Sequence, residues 1–162
     1  MNGELTIFVA PALLVGMLLT ACYTDLKSRT IPNLLNVAIA LVAPLVWWTM
    51  GWELWPDIAW QVGVALALLV AFFGLFALGQ MGGGDVKMIA ALALSIDVRL
   101  ILPMMLVFSI AGGVVAGAML IHQKMQKMEK PPEVPYGLAI AFGGFWAIYQ
   151  QYINHLPVIP AA

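Results

Sequence analysis

Leu5-Thr6-Ile7-Phe8-Val9-Ala10-Pro11-Ala12-Leu13-Leu14-Val15-Gly16-Met17-Leu18-Leu19-Thr20-Ala21-Cys22-Tyr23-Thr24 carries no charge, and the next residue is Asp25. A helix needs about 20 mainly apolar residues to cross the hydrocarbon core of a bilayer, and this stretch supplies them. Working outward, similar runs follow at Leu34–Met50, Ile58–Leu78, Leu100–Ile121 and Tyr136–Ile153. Val86–Ile96 is shorter and spans only if it starts deep or is covered by protein. The expected fold is all-α, a polytopic membrane bundle of about six transmembrane helices, forming a single domain over residues 1–162. Pro11, Pro44 and Pro103 are expected to kink their helices. Gly112-Gly113, Gly117 and Gly143-Gly144 are expected to let helices approach closely.

Composition agrees. The chain is 63% hydrophobic and 9% charged, whereas a soluble domain is about 45–50% apolar and about 25% charged. A net charge of −1 gives no footprint for nucleic acid. A single cysteine, Cys22, excludes an intrachain disulfide and a cysteine-rich zinc site. Asn2-Gly3-Glu4 lacks the positive region of a signal peptide. Leu19-Thr20-Ala21-Cys22 resembles a lipoprotein cleavage box, but the multispan remainder favours a buried cysteine near a helix end.

Charge sets an expected orientation. With the Asp25–Asn33 loop inside, Lys27, Arg29, Lys87, Lys124, Lys127 and Lys130 fall on the inner side and only Arg99 falls outside. Glu4, Glu53, Asp57 and Asp97 lie outside. That is a positive-inside pattern with both termini outward, and Trp47, Trp48, Trp52 and Trp55 form an outer interfacial belt. Asp25 and Asp85 then lie on the same, inner, face.

An aspartate at the centre of a membrane helix costs about 2.5–3.5 kcal/mol on insertion scales, so such residues usually have a use. Asp85 follows Gly82-Gly83-Gly84 and precedes Val86-Lys87. It reads either as a helix N-cap after a flexible turn or as a carboxylate that the glycines let another backbone approach. Asp25 reads either as the end of a span, with Lys27 and Arg29 as anchors, or as the partner of Asp85. Two close carboxylates do not both ionise easily. One then takes a proton from water while the other donates to a carbonyl oxygen, which permits peptide hydrolysis without metal or covalent intermediate. Which aspartate plays which part is not assigned, because a coupled pair titrates as a unit.

Other candidates are subsidiary. Lys87 either tunes Asp85 or anchors the inner face. Ile31-Pro32-Asn33 reads as a turn into a helix, with Asn33 a candidate cap. His122 and His155 fall on opposite sides, so no shared metal site is expected. The segment from His122 to Pro135 reads as a polar inner connector, with Met125 and Met128 as packing residues. Pro135-Tyr136-Gly137 reads as a helix start with no catalytic role of its own.

At these residues the chain resembles the type IV prepilin peptidases, bacterial membrane aspartyl proteases of the GxGD kind, and most closely the short class that serves tight-adherence pili. The resemblance rests on Asp25 with Ile31-Pro32-Asn33, on Gly82-Gly83-Gly84-Asp85-Val86-Lys87, and on Val134-Pro135-Tyr136-Gly137. It implies removal of a short basic leader from a prepilin at the cytoplasmic face of the bacterial inner membrane, with Asp25 and Asp85 catalytic and no cofactor. Gly82, Gly83, Gly84, Lys87, Pro32 and Asn33 would shape the site. Longer members carry paired Cys-x-x-Cys motifs and also methylate the product. Here Cys22 stands alone, so no methyltransferase activity is expected. Two further readings remain: a small proton-coupled transporter, or a structural pilus-assembly subunit with both aspartates as caps.

Overall fold

The computed structural model describes residues 7–126 and 135–153. Among them run six α-helices: α1 (Val9–Ser28), α2 (Asn33–Met50), α3 (Ala59–Ala77), α4 (Gly83–Ala93), α5 (Val98–Gln126) and α6 (Tyr136–Tyr152), with one π-helical turn, Leu54–Ile58, before α3. Lys127, Met128, Lys130, Val134, His155 and Glu4, used in the sequence reading, lie outside the described residues.

The stretches Val9–Ser28, Asn33–Met50, Leu54–Ala77 and Val98–Met125 are long and apolar enough to cross a bilayer. The helix count matches expectation, and the remaining two helices have a different character. The 11 residues of α4 extend only about 16 Å at 1.5 Å per residue, about half the hydrocarbon thickness. Its helical backbone is covered by protein instead. Asp85, Val86, Met88, Ile89, Ala91, Leu92 and Ala93 are all buried, and α4 packs against α2, α3 and α6. By contrast, α3 buries only Gln61 and Ala65 along its length, so it stands at the rim. The 17-residue α6 packs against α1, α4 and α5. Between apolar helices in lipid, close packing replaces hydrophobic attraction as the cohesive term. Leu14 and Leu18 of α1, Ile39 of α2, Met88, Ile89 and Leu92 of α4, Met104 of α5 and Ile140 of α6 are fully buried together.

Several local expectations shift. The first helix continues to Ser28, so Asp25 lies inside it and not at its end. The hydroxyls of Thr24 and Ser28 return hydrogen bonds to the carbonyls of Ala21 and Thr24, which lets polar residues extend the helix past its apolar run. It stops where Arg29 turns to φ 54° and donates its N–H to the Asp25 carbonyl at 2.9 Å. Pro11 falls in the first turn of α1, where a missing N–H breaks no helical bond, so it has no reason to kink the helix. Pro44 and Pro103 are interior to α2 and α5. Gly143 and Gly144 do make close contacts: a β-carbon on Gly143 would lie 2.9 Å from the Phe108 β-carbon and 3.0 Å from the Met104 carbonyl oxygen. Gly113 and Gly117 face open space. Cys22 is half-buried within α1.

At the far end, Trp47 donates its indole N–H to the Leu94 carbonyl at 2.7 Å, while Trp48 and Trp55 are exposed. Buried Gln61 donates to the carbonyls of Ala93 and Ile96 and so closes the C-terminal end of α4. Removing that donor strands two buried carbonyls, each worth about 1–3 kcal/mol when unsatisfied. Gln61→Leu is expected to lower the midpoint of thermal unfolding in detergent by several degrees, measured against a surface control such as Trp48→Leu.

Candidate active site

Asp25 and Asp85 are 5% and 8% exposed. A solvated anchor or an exposed cap would not be so covered. Their neighbours Lys27, Arg29 and Lys87 are exposed, as anchors should be.

Asp25 is held by α6. Its Oδ2 accepts the Leu138 N–H at 3.3 Å and also faces the Gly137 N–H. These are orphan donors of the first turn of a helix, the end at which its dipole favours negative charge. Arg29 adds a positive charge within electrostatic range of Asp25. Gly137 makes the arrangement possible. A β-carbon there would stand 2.8 Å from Ile31 Cδ1, 2.9 Å from Asp25 Oδ2 and 3.0 Å from Asp25 Cγ.

Asp85 is held by its own glycines. The N-cap of α4 is Gly82, with φ −69° and ψ 140°, so Asp85 is the third helical residue, and the reading of it as the N-cap does not hold. Its N–H reaches the Gly82 carbonyl at 3.1 Å, and its carboxylate faces back to the Gly82 N–H. That is the return half of a capping box. A β-carbon on Gly82 would fall 2.8 Å from Asp85 Oδ2.

Ile31 sits between the two carboxylate-bearing elements. It is buried; its side chain meets Gly137, and its backbone oxygen would be 3.0 Å from a β-carbon on Gly84. Asn36 of α2 donates to the Gly84 carbonyl at 3.0 Å. The turn between α1 and α2 is thus clamped to the starts of both α4 and α6. The result is that Asp25 and Asp85 come within coulombic reach of each other at one end of the bundle. Asp57, Asp97 and Arg99 gather with Trp52 and Trp60 around a separate cavity of about 370 Å³, remote in the chain from both carboxylates.

Pro32 is the N-cap of α2, with φ −60° and ψ 137°, and Asn33 is its first helical residue. Asn33 is therefore not the cap. Its Oδ1 accepts the Lys87 ammonium at 2.8 Å, which ties α2 to α4. The groups that act on Asp85 are Asp25 and the Gly82 N–H, and Lys87 reaches Asn33 instead. Gly83 lies against the Phe76 ring. An exposed polar tie of this kind contributes about 1 kcal/mol or less. Lys87→Met is therefore expected to change turnover by less than about fivefold, measured in reconstituted vesicles.

Sequence reasoning missed Ile31 as a spacer, Asn36 as a clamp, and Gly137 with Leu138 as the seat of Asp25. The juxtaposition of Gly137 and Asp25 spans most of the chain and leaves no local signature.

A helical membrane bundle with two buried, electrostatically coupled carboxylates at one end defines the class of site. The model of the type IV leader peptidase family matches residues 12–117, which include Asp25, Pro32, Asn33 and the Gly82–Lys87 stretch. The chain belongs to the type IV leader peptidase family, and at that level it is a peptidase. No curated protein and no solved structure gives a match.

Proposed function

We propose that this protein is a membrane aspartyl endopeptidase that removes the leader peptide from prepilins of the type IV or tight-adherence kind, using Asp25 and Asp85 to activate water. The observation that carries the proposal is the burial of both carboxylates in one coupled site built from three chain segments. One carboxylate, ionised, takes a proton from water as the oxygen attacks the scissile carbonyl. The other, protonated, donates to the carbonyl oxygen. Collapse of the tetrahedral intermediate breaks the C–N bond, with a proton passed to the leaving amine. Either aspartate can begin in either state.

The site is assigned to the cytoplasmic face of the bacterial inner membrane, with both termini outward. The support is that Lys27, Arg29 and Lys87, all exposed, lie within four residues of one or other aspartate in the chain, as positive residues on the inner side would. The partners are a prepilin with a basic leader and the lipid bilayer. Methyl transfer to the product is not expected. The test is direct: purified protein in lipid vesicles is mixed with a prepilin, and the shortened chain is followed by mass spectrometry. Appearance of one new amino terminus at the leader junction supports the proposal. Intact precursor, with the protein folded and inserted, rejects it.

A further inference from the structure

Among the described residues, α2 and α3 each pack on α4 far more than on each other. Short α4 is therefore the floor of a cleft whose walls are α2 and α3. The cleft encloses about 600 Å³. Val37 of α2 and Leu66 of α3 line it and are exposed, so it opens sideways to the bilayer. Along α2 the lining runs from Asn33 to Trp47, about 21 Å at 1.5 Å per residue. That exceeds the depth of one leaflet's hydrocarbon, about 15 Å.

Its two ends differ. Ala40, Ala65, Leu69 and Leu94 make the deeper part apolar, whereas Lys87, Asn33 and Asn36 make the near end polar. Lys87 is exposed. Its ammonium donates to Asn33 Oδ1 at 2.8 Å and forms no ion pair among the described residues. Asn36 is 4% exposed. Its Nδ2 donates to the Gly84 carbonyl, while its Oδ1 is buried without a hydrogen-bond partner. The polar end thus presents a cation lacking a counter-ion and an acceptor lacking a donor, and buried acceptors are normally satisfied.

We infer that this α2–α3–α4 cleft binds one anionic phospholipid of the phosphatidylglycerol kind, its phosphate on Lys87 and one acyl chain lying along α2 towards Trp47. The inference does not rest on the endopeptidase reading. The phosphate is the missing counter-ion, since basic residues at a membrane surface attract anionic lipid. The hydroxyls of a glycerol headgroup are donors, as Asn36 Oδ1 requires. The volume also selects the occupant. A helix about 10 Å across and about 21 Å long would fill about 1,600 Å³, far more than the cleft encloses, whereas an acyl chain is a single file of methylenes. A basic leader would bring like charge to Lys87. A lipid held here braces α4, the helix that carries Asp85, on the side where α2 and α3 part.

The test offers the purified full chain, in detergent, dioleoyl phosphatidylglycerol and dioleoyl phosphatidylcholine at equal concentration, and reads the retained lipid by native mass spectrometry. Phosphatidylglycerol is expected to be retained over phosphatidylcholine by about fivefold or more, the contribution of one lysine at a bilayer surface. In Lys87→Gln that preference is expected to disappear. No preference in wild type, or an unchanged preference in Lys87→Gln, overturns the inference. A photocrosslinker then locates the lipid in phosphatidylcholine vesicles that carry a minor share of phosphatidylglycerol together with a prepilin. Leu66 lines the cleft, and Val70 is exposed on the same helix but off the lining. The group at Leu66 is expected to capture phosphatidylglycerol more strongly than the group at Val70, and Lys87→Gln to remove the excess. Equal capture at both positions overturns the inference. So does capture at Leu66 of the prepilin, or of a second copy of this chain, in place of the lipid. Neither readout depends on prepilin cleavage, so a failure here is distinct from a failure of the endopeptidase reading.

Discussion

Asp25→Asn and Asp85→Asn are each expected to lower prepilin cleavage by a factor of about 10³ or more, while the protein remains folded and inserted. Acid–base partners typically supply about 10²–10⁴ each, and an asparagine can neither accept the water's proton nor deliver one. The substitution keeps shape and leaves a donor and an acceptor. Its effect on stability is therefore expected to be small. Unfolding in detergent should begin no more than a few degrees below wild type. Because the two acids act as a unit, the double variant falls no further than either single one. Activity retained in either single variant would mean that the pair does not perform the reaction. It would leave the reading in which both residues are structural, while proton flux into vesicles that depended on the same residues would favour the transporter.

Gly137→Ala is the second large effect. The added methyl would stand 2.8 Å from Ile31 Cδ1 and 2.9 Å from Asp25 Oδ2, closer than real carbon contacts allow. Either Ile31 shifts, disturbing the turn that clamps α4, or Asp25 leaves the N-terminus of α6. A misplacement of about 1 Å can cost about 10² in rate, so kcat is expected to fall about a hundredfold. KM for a short peptide should move much less, because the variant displaces an acid and not a binding surface. Gly16→Ala in α1 is the matched control, since its added carbon meets nothing within 4 Å. A Gly137→Ala enzyme with wild-type turnover would show that Asp25 works without its seat on α6.

Individual residues show why some of this was legible in the sequence. Uncharged runs ended by Asp25 and preceding Asp85 are visible to hydropathy, and the parity of helices between them put both acids at one end. The helix boundaries were less visible. Hydropathy sees where side chains become polar, but Thr24 and Ser28 satisfy their hydroxyls on the helix itself and carry α1 onward to Arg29. The shortness of α4 was visible too, and its burial on most sides explains how an 11-residue helix can stand where full spans surround it. Within the Gly82–Asp85 stretch, the sequence left two readings of the acid open, a helix cap or an approachable carboxylate. The structure places the cap on Gly82, because the carboxylate is needed as the acceptor for the Gly82 N–H. What could not be read was the part played by Tyr136-Gly137-Leu138. A glycine after a proline and a tyrosine reads as a helix start, and only the fold reveals that its missing side chain makes room for an acid near the other end of the chain.

Hydrolysis by the pair requires both acids to open to one aqueous compartment, the cytosol. Single cysteines at Ser28 and Lys87, exposed positions beside Asp25 and Asp85, can be placed in a Cys22→Ser background and treated with a membrane-impermeant maleimide. Both are expected to label in inside-out vesicles and not in right-side-out ones, with a cysteine at Arg99 showing the reverse. Labelling of Ser28→Cys and Lys87→Cys from opposite sides of the membrane would contradict the shared site and leave the proposed hydrolysis without its second carboxylate.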